Sequence, residues 1–258
     1  MNYKYIKEID IKELNIYHEL RDKAFKADNS FIADSPKVVN ILLKTDIEVK
    51  SILATQEYYD KFSELIEKKN IPILYIVNKQ EMQKIVGHKV HHNCMMHGIR
   101  PQQTPLNNLD DKIIMLDAIT STENIGSIAR SAAALGVNSY LIPDNAPNPY
   151  SRRSLRVSMG HISKLKYNIY NNIFQTIKEL QNNGYKIYAA EVSKSSIKLQ
   201  NISVAKKWVL LMGHEGKGLS QEIIDICDEC VEIEMASDVR SFNVGVASSI
   251  LMYQFLNN

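Results

Sequence analysis

The carboxyl-terminal half of the chain alternates short, continuous apolar runs with segments whose apolar residues recur every three or four positions. The runs IIMLDAI, SYLIPD, KLKYNIY, KIYAAEV, KWVLLMG and VEIEM read as strands. Helices are predicted through IGSIARSAAALG, NIFQTIKELQNNG and LSQEIIDIC, with a final helix starting at Asn243 and Gly136 placed to cap the first of them. Alternation of this kind predicts an α/β fold whose mainly parallel sheet carries helices on both faces.

The amino-terminal half is a smaller version of the same pattern. A helix is predicted through LNIYHELRDKAFK, a strand at FIAD, a helix from Ser35 through VVNILLK and a strand at VKSILAT. An amphipathic helix at EYYDKFSELIEKK and a strand at PILYIV follow. In HHNCMMHGIRPQQTPLNNLDD the periodicity fades, and Pro, Gly, Gln and Asn collect. These features divide the chain into a small α/β domain over 1–100, a linker over 101–112 and a larger α/β domain over 113–258.

Composition narrows the class without choosing it. With 258 residues, 45% hydrophobic and 23% charged, the chain has room for two cores and the balance of a soluble globular protein. No apolar run is long enough for a bilayer, and the first residues lack a secretory pattern, so the expectation is a cytoplasmic protein with no membrane partner. Three cysteines, Cys94, Cys227 and Cys230, are too few for a disulfide framework. A net charge of +2 is too small to argue for nucleic acid, so any such argument has to be local.

Open α/β sheets bind ligands beyond the carboxyl ends of their strands, and three segments there carry residues that packing does not require. In ENIGSIARSAAALG, Asn124 enters a helix and Arg130 lies about a turn and a half inside it; an N-cap and a solvated cation would look the same. In LLMGHEGKGLSQEI, three glycines fall within six residues, which allows close backbone approach to a ligand. Leu219 after Gly218 excludes a Walker loop, and the spacing is not G-x-G-x-x-G. In IEMASDVRSFNVGVASSILMYQF, a strand passes through an irregular loop into a helix whose Gly245, Ala247, Ser248 and Ser249 permit close packing.

In order and spacing these segments resemble the three motifs of the TrmH-type RNA ribose 2′-O-methyltransferases of the SPOUT superfamily. Asn124, Gly126 and Arg130 match Asn-x-Gly-x-x-x-Arg. Gly213, Glu215, Gly216, Gly218 and Leu219 match Gly-x-Glu-Gly-x-Gly-Leu. Ile233, Met235, Ser241, Asn243 and Val244 match Ile-Pro-Met … Ser-Leu-Asn-Val. NPYSRRSLRVSMG also looks like the family, and the resemblance runs from 113 to 256. FIADSPKVV resembles, more weakly, the ribosomal-protein-like RNA-binding domain that often precedes this one. Two positions depart from the pattern: Glu234 stands where the family has proline, adding a charge near the expected cofactor pocket, and Phe242 replaces leucine.

The resemblance implies a deep trefoil knot, a homodimer, an RNA substrate of ribosomal or transfer type, and S-adenosyl-L-methionine as methyl donor. It places the cofactor on Gly213, Gly218, Ile233 and Phe242. It assigns catalysis to Arg130, assisted by Asn124, Glu215, Ser241 and Asn243. A guanidinium does not readily give up its proton, so Arg130 is better cast as orienting the ribose hydroxyl and stabilising the developing alkoxide. From Ser151 to Lys166 there are five basic residues and no acidic one. Arg152, Arg153 and Arg156 therefore read as phosphate contacts, with Ser158 near the target nucleotide.

His88, His91, His92, Cys94 and His97 match no zinc spacing, and Cys227 and Cys230 lack a second cysteine pair, so no metal is expected. Two competing functions are a catalytically inactive RNA-binding protein of the same fold and a nicotinamide-dependent oxidoreductase. Intact Asn124, Arg130, Glu215 and Asn243 weigh against the first, and the missing dinucleotide fingerprint weighs against the second.

Overall fold

The computed structural model describes residues 2–5, 12–18, 28–239 and 241–258. They form two compact units, one of 1–102 with 148–163 and the other of 103–147 with 164–258. Residues 148–163, which the sequence pattern assigns to the second domain, thus belong to the first.

The first unit is built on strands β1 (Asn2–Tyr5), β2 (Ser30–Asp34), β3 (Val49–Ala54), β4 (Ile73–Ile76) and β5 (Cys94–Ile99) and helices α1 (Pro36–Leu42), α2 (Gln56–Lys68) and α3 (Lys79–Val86). Its sheet order is β1-β4-β3-β5-β2, with β1, β4 and β3 parallel and β5 antiparallel to both its neighbours. Strand β5 falls where the periodicity fades. Cys94, Met95 and Met96 are all buried, so nothing alternates, and none is a β-branched residue that would mark a strand. Helix α3 is likewise absent from the predicted elements, although Asn78 and Glu81 close a capping box and Gly87 ends the helix at φ 78°. Of the helix expected over 14–26, Leu14–Tyr17 lie in a 3-10 turn over Lys12–Tyr17, and residues 19–27 lie outside the described residues.

The second unit holds β6 (Lys112–Leu116), α4 (Thr122–Leu135), β7 (Ser139–Pro143), β8 (Lys166–Tyr170), α6 (Ile173–Asn182), β9 (Lys186–Ala190), β10 (Ile197–Lys198), β11 (Trp208–Met212), α7 (Gln221–Ile226), β12 (Glu229–Glu232) and α8 (Val244–Leu256). Helix α5 (Arg152–Val157), between β7 and β8 in sequence, belongs to the first unit. The seven strands run in the order β10-β12-β9-β11-β6-β7-β8 with every pairing parallel. Parallel strands need cover on both faces, and their unbroken apolar runs supply it. Ile113, Met115, Ile187, Val209 and Leu211 pack with Ile177 and Leu180 of α6. Trp208 and Tyr188 meet Phe255 of α8 edge-on, at centroid distances of 5.3 and 5.0 Å. This is the α/β architecture that the sequence predicts.

The small residues of α8 find their close neighbour inside the same chain. A Cβ on Gly245 would lie 2.4 Å from Ser127 Oγ, and Ser249 Oγ donates to Ser131 Oγ at 2.8 Å, so α8 lies tight against α4. That contact carries the third motif up to the first.

Candidate functional site

Strands β9, β11 and β12 end side by side, and the loop after β11 is folded back on itself. His214 N–H donates to Gly218 O at 3.2 Å, and Gly218 N–H returns to His214 O at 2.9 Å. His214 Nδ1 accepts from Gly216 N–H at 2.9 Å, closing the turn from inside. This folding requires two of the glycines. A Cβ on Gly213 would lie 2.6 Å from Gly218 C and 2.7 Å from Leu219 N, and Gly218 adopts φ 65°.

Beyond these strand ends lies a pocket of about 360 Å³. Gly213, Gly218, Ile233 and Phe242, the four expected cofactor residues, all line it, together with Glu215 and Ser241. Its apolar wall comes from Met212, Val231, Met235, Val244 and Leu251, and its charges from Glu191, Glu215 and Glu232 with Lys217. Glu234 is not on that wall. Its carboxylate faces Lys198 Nζ at 2.6 Å and accepts from Gln200 at 2.8 Å, which keeps the charge that replaces the family's proline out of the pocket.

The three motifs meet through one hydrogen-bonded chain. Asn243 Nδ2 donates to Asn124 Oδ1 at 3.0 Å, and Asn124 Nδ2 donates to Glu215 Oε1 at 2.9 Å. Glu215 also accepts from Ser121 N–H at 3.2 Å and Thr120 N–H at 3.3 Å, at the entry to α4. Ser121 caps that helix, and Asn243 caps α8 by accepting from Gly245 N–H at 2.9 Å. Asn243 thus both caps a helix and links the motifs, whereas Asn124, an N-cap candidate in the sequence, links them while Ser121 does the capping of α4. Burial pushes the Glu215 carboxyl up, but the donors from Asn124, Ser121 and Thr120 outweigh it and hold the group below its ordinary 4.5.

A depressed carboxylate stabilises the fold fully above its ordinary value, and that contribution is lost as pH falls through the folded-state value. The unfolding midpoint of the parent protein is therefore expected to exceed that of Glu215→Gln at pH 7, with the gap closing below pH 4.5. Thermal melts across that range read it, and a gap that does not narrow would contradict the assignment.

Arg130 is exposed, six residues beyond Asn124 on α4, a rise of about 9 Å. Among the described residues no hydrogen bond or ion pair engages its side chain. Arg152, Arg153, Arg156 and Ser158 are placed in the first unit. Arg152 Nε donates to Asp34 Oδ2 at 2.7 Å, and Arg156 Nε lies 3.6 Å from Asp34 Oδ1. Ser158 is fully buried and its hydroxyl donates to Leu155 O at 3.1 Å.

Glu191 is a site residue that the sequence pattern does not single out. Its Oε2 accepts from Leu219 N–H at 2.9 Å, bracing the glycine loop from the end of β9. In sequence it is one glutamate after an apolar run, which a solvated strand end also produces. Cys227 donates to Ile223 O at 3.1 Å, and burial pushes its thiol up to about 12. Cys230 is buried, and both thiols are free.

A parallel α/β sheet with a glycine-lined pocket at its strand ends and three loops bonded to one another defines a ligand-binding α/β protein. The chain belongs to the SpoU rRNA Methylase family, whose model matches residues 111–253. A Staphylococcus aureus protein named as a TrmH family tRNA/rRNA methyltransferase is 30% identical over 142 residues, 55% of this chain and 57% of that protein. The chain thus matches little more than half the length of such relatives. The AdoMet-bound rRNA methyltransferase of Sinorhizobium meliloti has a similar fold, with a TM-score of 0.84, 20% identity and coverage of 98% of this chain and 97% of the other. The SpoU methyltransferase AviRb of Streptomyces viridochromogenes in complex with AdoMet gives a TM-score of 0.83 at 18% identity, covering 96% of this chain and 98% of that one.

Proposed function

We propose that the protein transfers a methyl group from S-adenosylmethionine to a ribose 2′-hydroxyl of ribosomal or transfer RNA. The observation that carries this is the Asn243–Asn124–Glu215 chain, which ties the first-motif helix to the glycine loop of the pocket. The pocket suits the cofactor. Gly213 and Gly218 let the loop at its rim fold back tightly on itself and on Glu191, apolar residues can take an adenine, and three carboxylates against one lysine, Lys217, favour a ligand that carries a sulfonium and an ammonium. Two of the solved structures with this fold hold AdoMet by name.

When bound, the cofactor supplies an electrophilic methyl group. Gly213, Gly218, Ile233 and Phe242 hold it, and Glu215 keeps the loop and the entry to α4 in register. Arg130 orients the attacking hydroxyl and stabilises the charge that develops on its oxygen, while Asn124, Ser241 and Asn243 position the loops around it. The first unit recognises RNA, with Arg152, Arg153 and Arg156 as phosphate contacts. The protein acts in the cytoplasm as a homodimer with a knotted catalytic unit. The exposed Val246 and Tyr253 of α8, 48% and 61% accessible, support the dimer.

The test is transfer of labelled methyl from S-adenosylmethionine to total RNA of a strain lacking the protein, with the product mapped. The expected product is one nucleotide resistant to alkaline cleavage, and light scattering of the same preparation should read a dimer. Cofactor binding without transfer to any RNA would favour the inactive RNA-binding reading.

A further inference from the structure

The three arginines of α5 read in sequence as a run of independent phosphate contacts, but two of them share one buried partner. Asp34, at the end of β2, is only 3% exposed. Arg152 Nε donates to its Oδ2 at 2.7 Å, while its Oδ1 takes no hydrogen bond and faces Arg156 Nε at 3.6 Å. The guanidiniums stay part-open, at 25% and 39%. Contacts through Nε leave the planar pair of terminal amino groups, the part of arginine that takes a phosphate bidentately, for another ligand.

The surroundings fix this arrangement. Ser35, the next residue, is held at φ 79°, a conformation that costs a non-glycine residue and turns the chain from β2 into α1. Phe31 of the same strand packs on Tyr150 at a centroid distance of 5.4 Å, and Gly160 lies against Val38 and Ile41 of α1. Residues on both sides of α5 are thus anchored to the strand-helix corner that holds Asp34. Burial pushes the His92 imidazole below its ordinary value, with Asp34 pulling the other way, so at neutral pH the two arginines are the counter-charges for the carboxylate.

We infer that Asp34 is a positioning residue for RNA binding: one buried carboxylate holds Arg152 and Arg156 by their Nε edges so that they present a paired phosphate site. The inference rests on the proposal that the protein binds RNA. It goes further by turning a diffuse basic patch into an acid-organised one, in which a negative charge is required for an anion to bind. Without Asp34 two neighbouring guanidiniums repel, and each recovers the side-chain freedom that the carboxylate removes.

The sign of the effect makes the test. Asp34→Asn raises net charge by one, so a patch acting only through its charge would bind RNA more tightly. The expected result is instead about tenfold weaker binding of a short fluorescein-labelled single-stranded RNA by the full-length protein, equivalent to one charge-assisted hydrogen bond fewer. The slope of log affinity against log salt should also fall by roughly 0.7 for each phosphate that is no longer neutralised. Cofactor affinity should be unchanged. Arg152→Lys keeps the charge without the fork and decides the matter should Asp34→Asn fail to fold; it too is expected to weaken binding several-fold. Unchanged or tighter binding by the variants, with an unchanged salt slope, overturns the inference while leaving RNA binding by the parent intact. Failure of the parent itself to bind RNA sinks the functional reading instead, and the inference with it.

Discussion

Replacing Arg130 with alanine is expected to abolish methyl transfer while leaving S-adenosylmethionine affinity within about twofold of the parent. The side chain is exposed, takes no partner among the described residues and is not part of the pocket wall, so its removal uncovers no buried charge. Loss of one preorganised donor to a developing oxyanion slows an enzyme by roughly 10²–10³. Lysine at 130 should recover little, because an ammonium cannot hold a hydroxyl and a phosphate oxygen in one plane. Single-turnover transfer to the identified RNA, together with calorimetry of cofactor binding, reads both parts. Near-normal turnover in Arg130→Ala would return the residue to a solvated helix position and move the search for the activating group to Glu215.

The second large effect is expected at Gly213. A methyl group there would meet the backbone of Gly218 and Leu219 at 2.6 and 2.7 Å, and backbone cannot swing aside as a side-chain tip can. The loop must open, and the pocket that it lines opens with it. Overpacking costs on the order of 1–3 kcal/mol, so Gly213→Ala should weaken cofactor binding by up to about a hundredfold. Gly136→Ala is the control. Gly136, unlike Gly213, has a left-handed backbone, at φ 78°, but nothing lies within 4 Å of its added carbon. That variant should lose about 1 kcal/mol of stability through strain at the end of α4, with cofactor affinity unaltered. Equal cofactor affinities for the two variants would count against the loop as the binding element.

Strands of the second unit are legible in the sequence because Ile113–Leu116 and Trp208–Met212 are continuous apolar runs bounded by turn residues, and burial on both faces requires such runs. The glycine loop is legible as a place of close approach. Its partner Glu191 is not, because the contact joins β9 to a residue 28 positions away and leaves no local trace. The same physics hides β5, whose Cys and Met side chains fill a core without marking a strand. It also hides the allegiance of residues 148–163 to the first unit. Their basic character is visible, but the buried carboxylate that engages two of the arginines lies 118 residues from Arg152. The departure at Glu234 is visible as a charge, whereas its escape to Lys198 and Gln200 depends on the placement of β10 and the 3-10 turn after it.

The membership of residues 148–163 in the first unit bears on how the chain is made. A ribosome releases residues 1–102 well before that segment leaves the exit tunnel, so the nascent first unit waits with Asp34 lacking its arginine partners and Phe31 lacking Tyr150. Meanwhile β6, α4 and β7 of the second unit emerge before the first can be completed. The first unit's core between Leu14 and Met95 can thus form early, but the unit is completed only when residues 148–163 reach it, although the motif order suggests two beads on a string. Completion of the first unit during synthesis, read as the Asp34 and Phe31 contacts forming, should therefore step after Ser163 and not after Gln102.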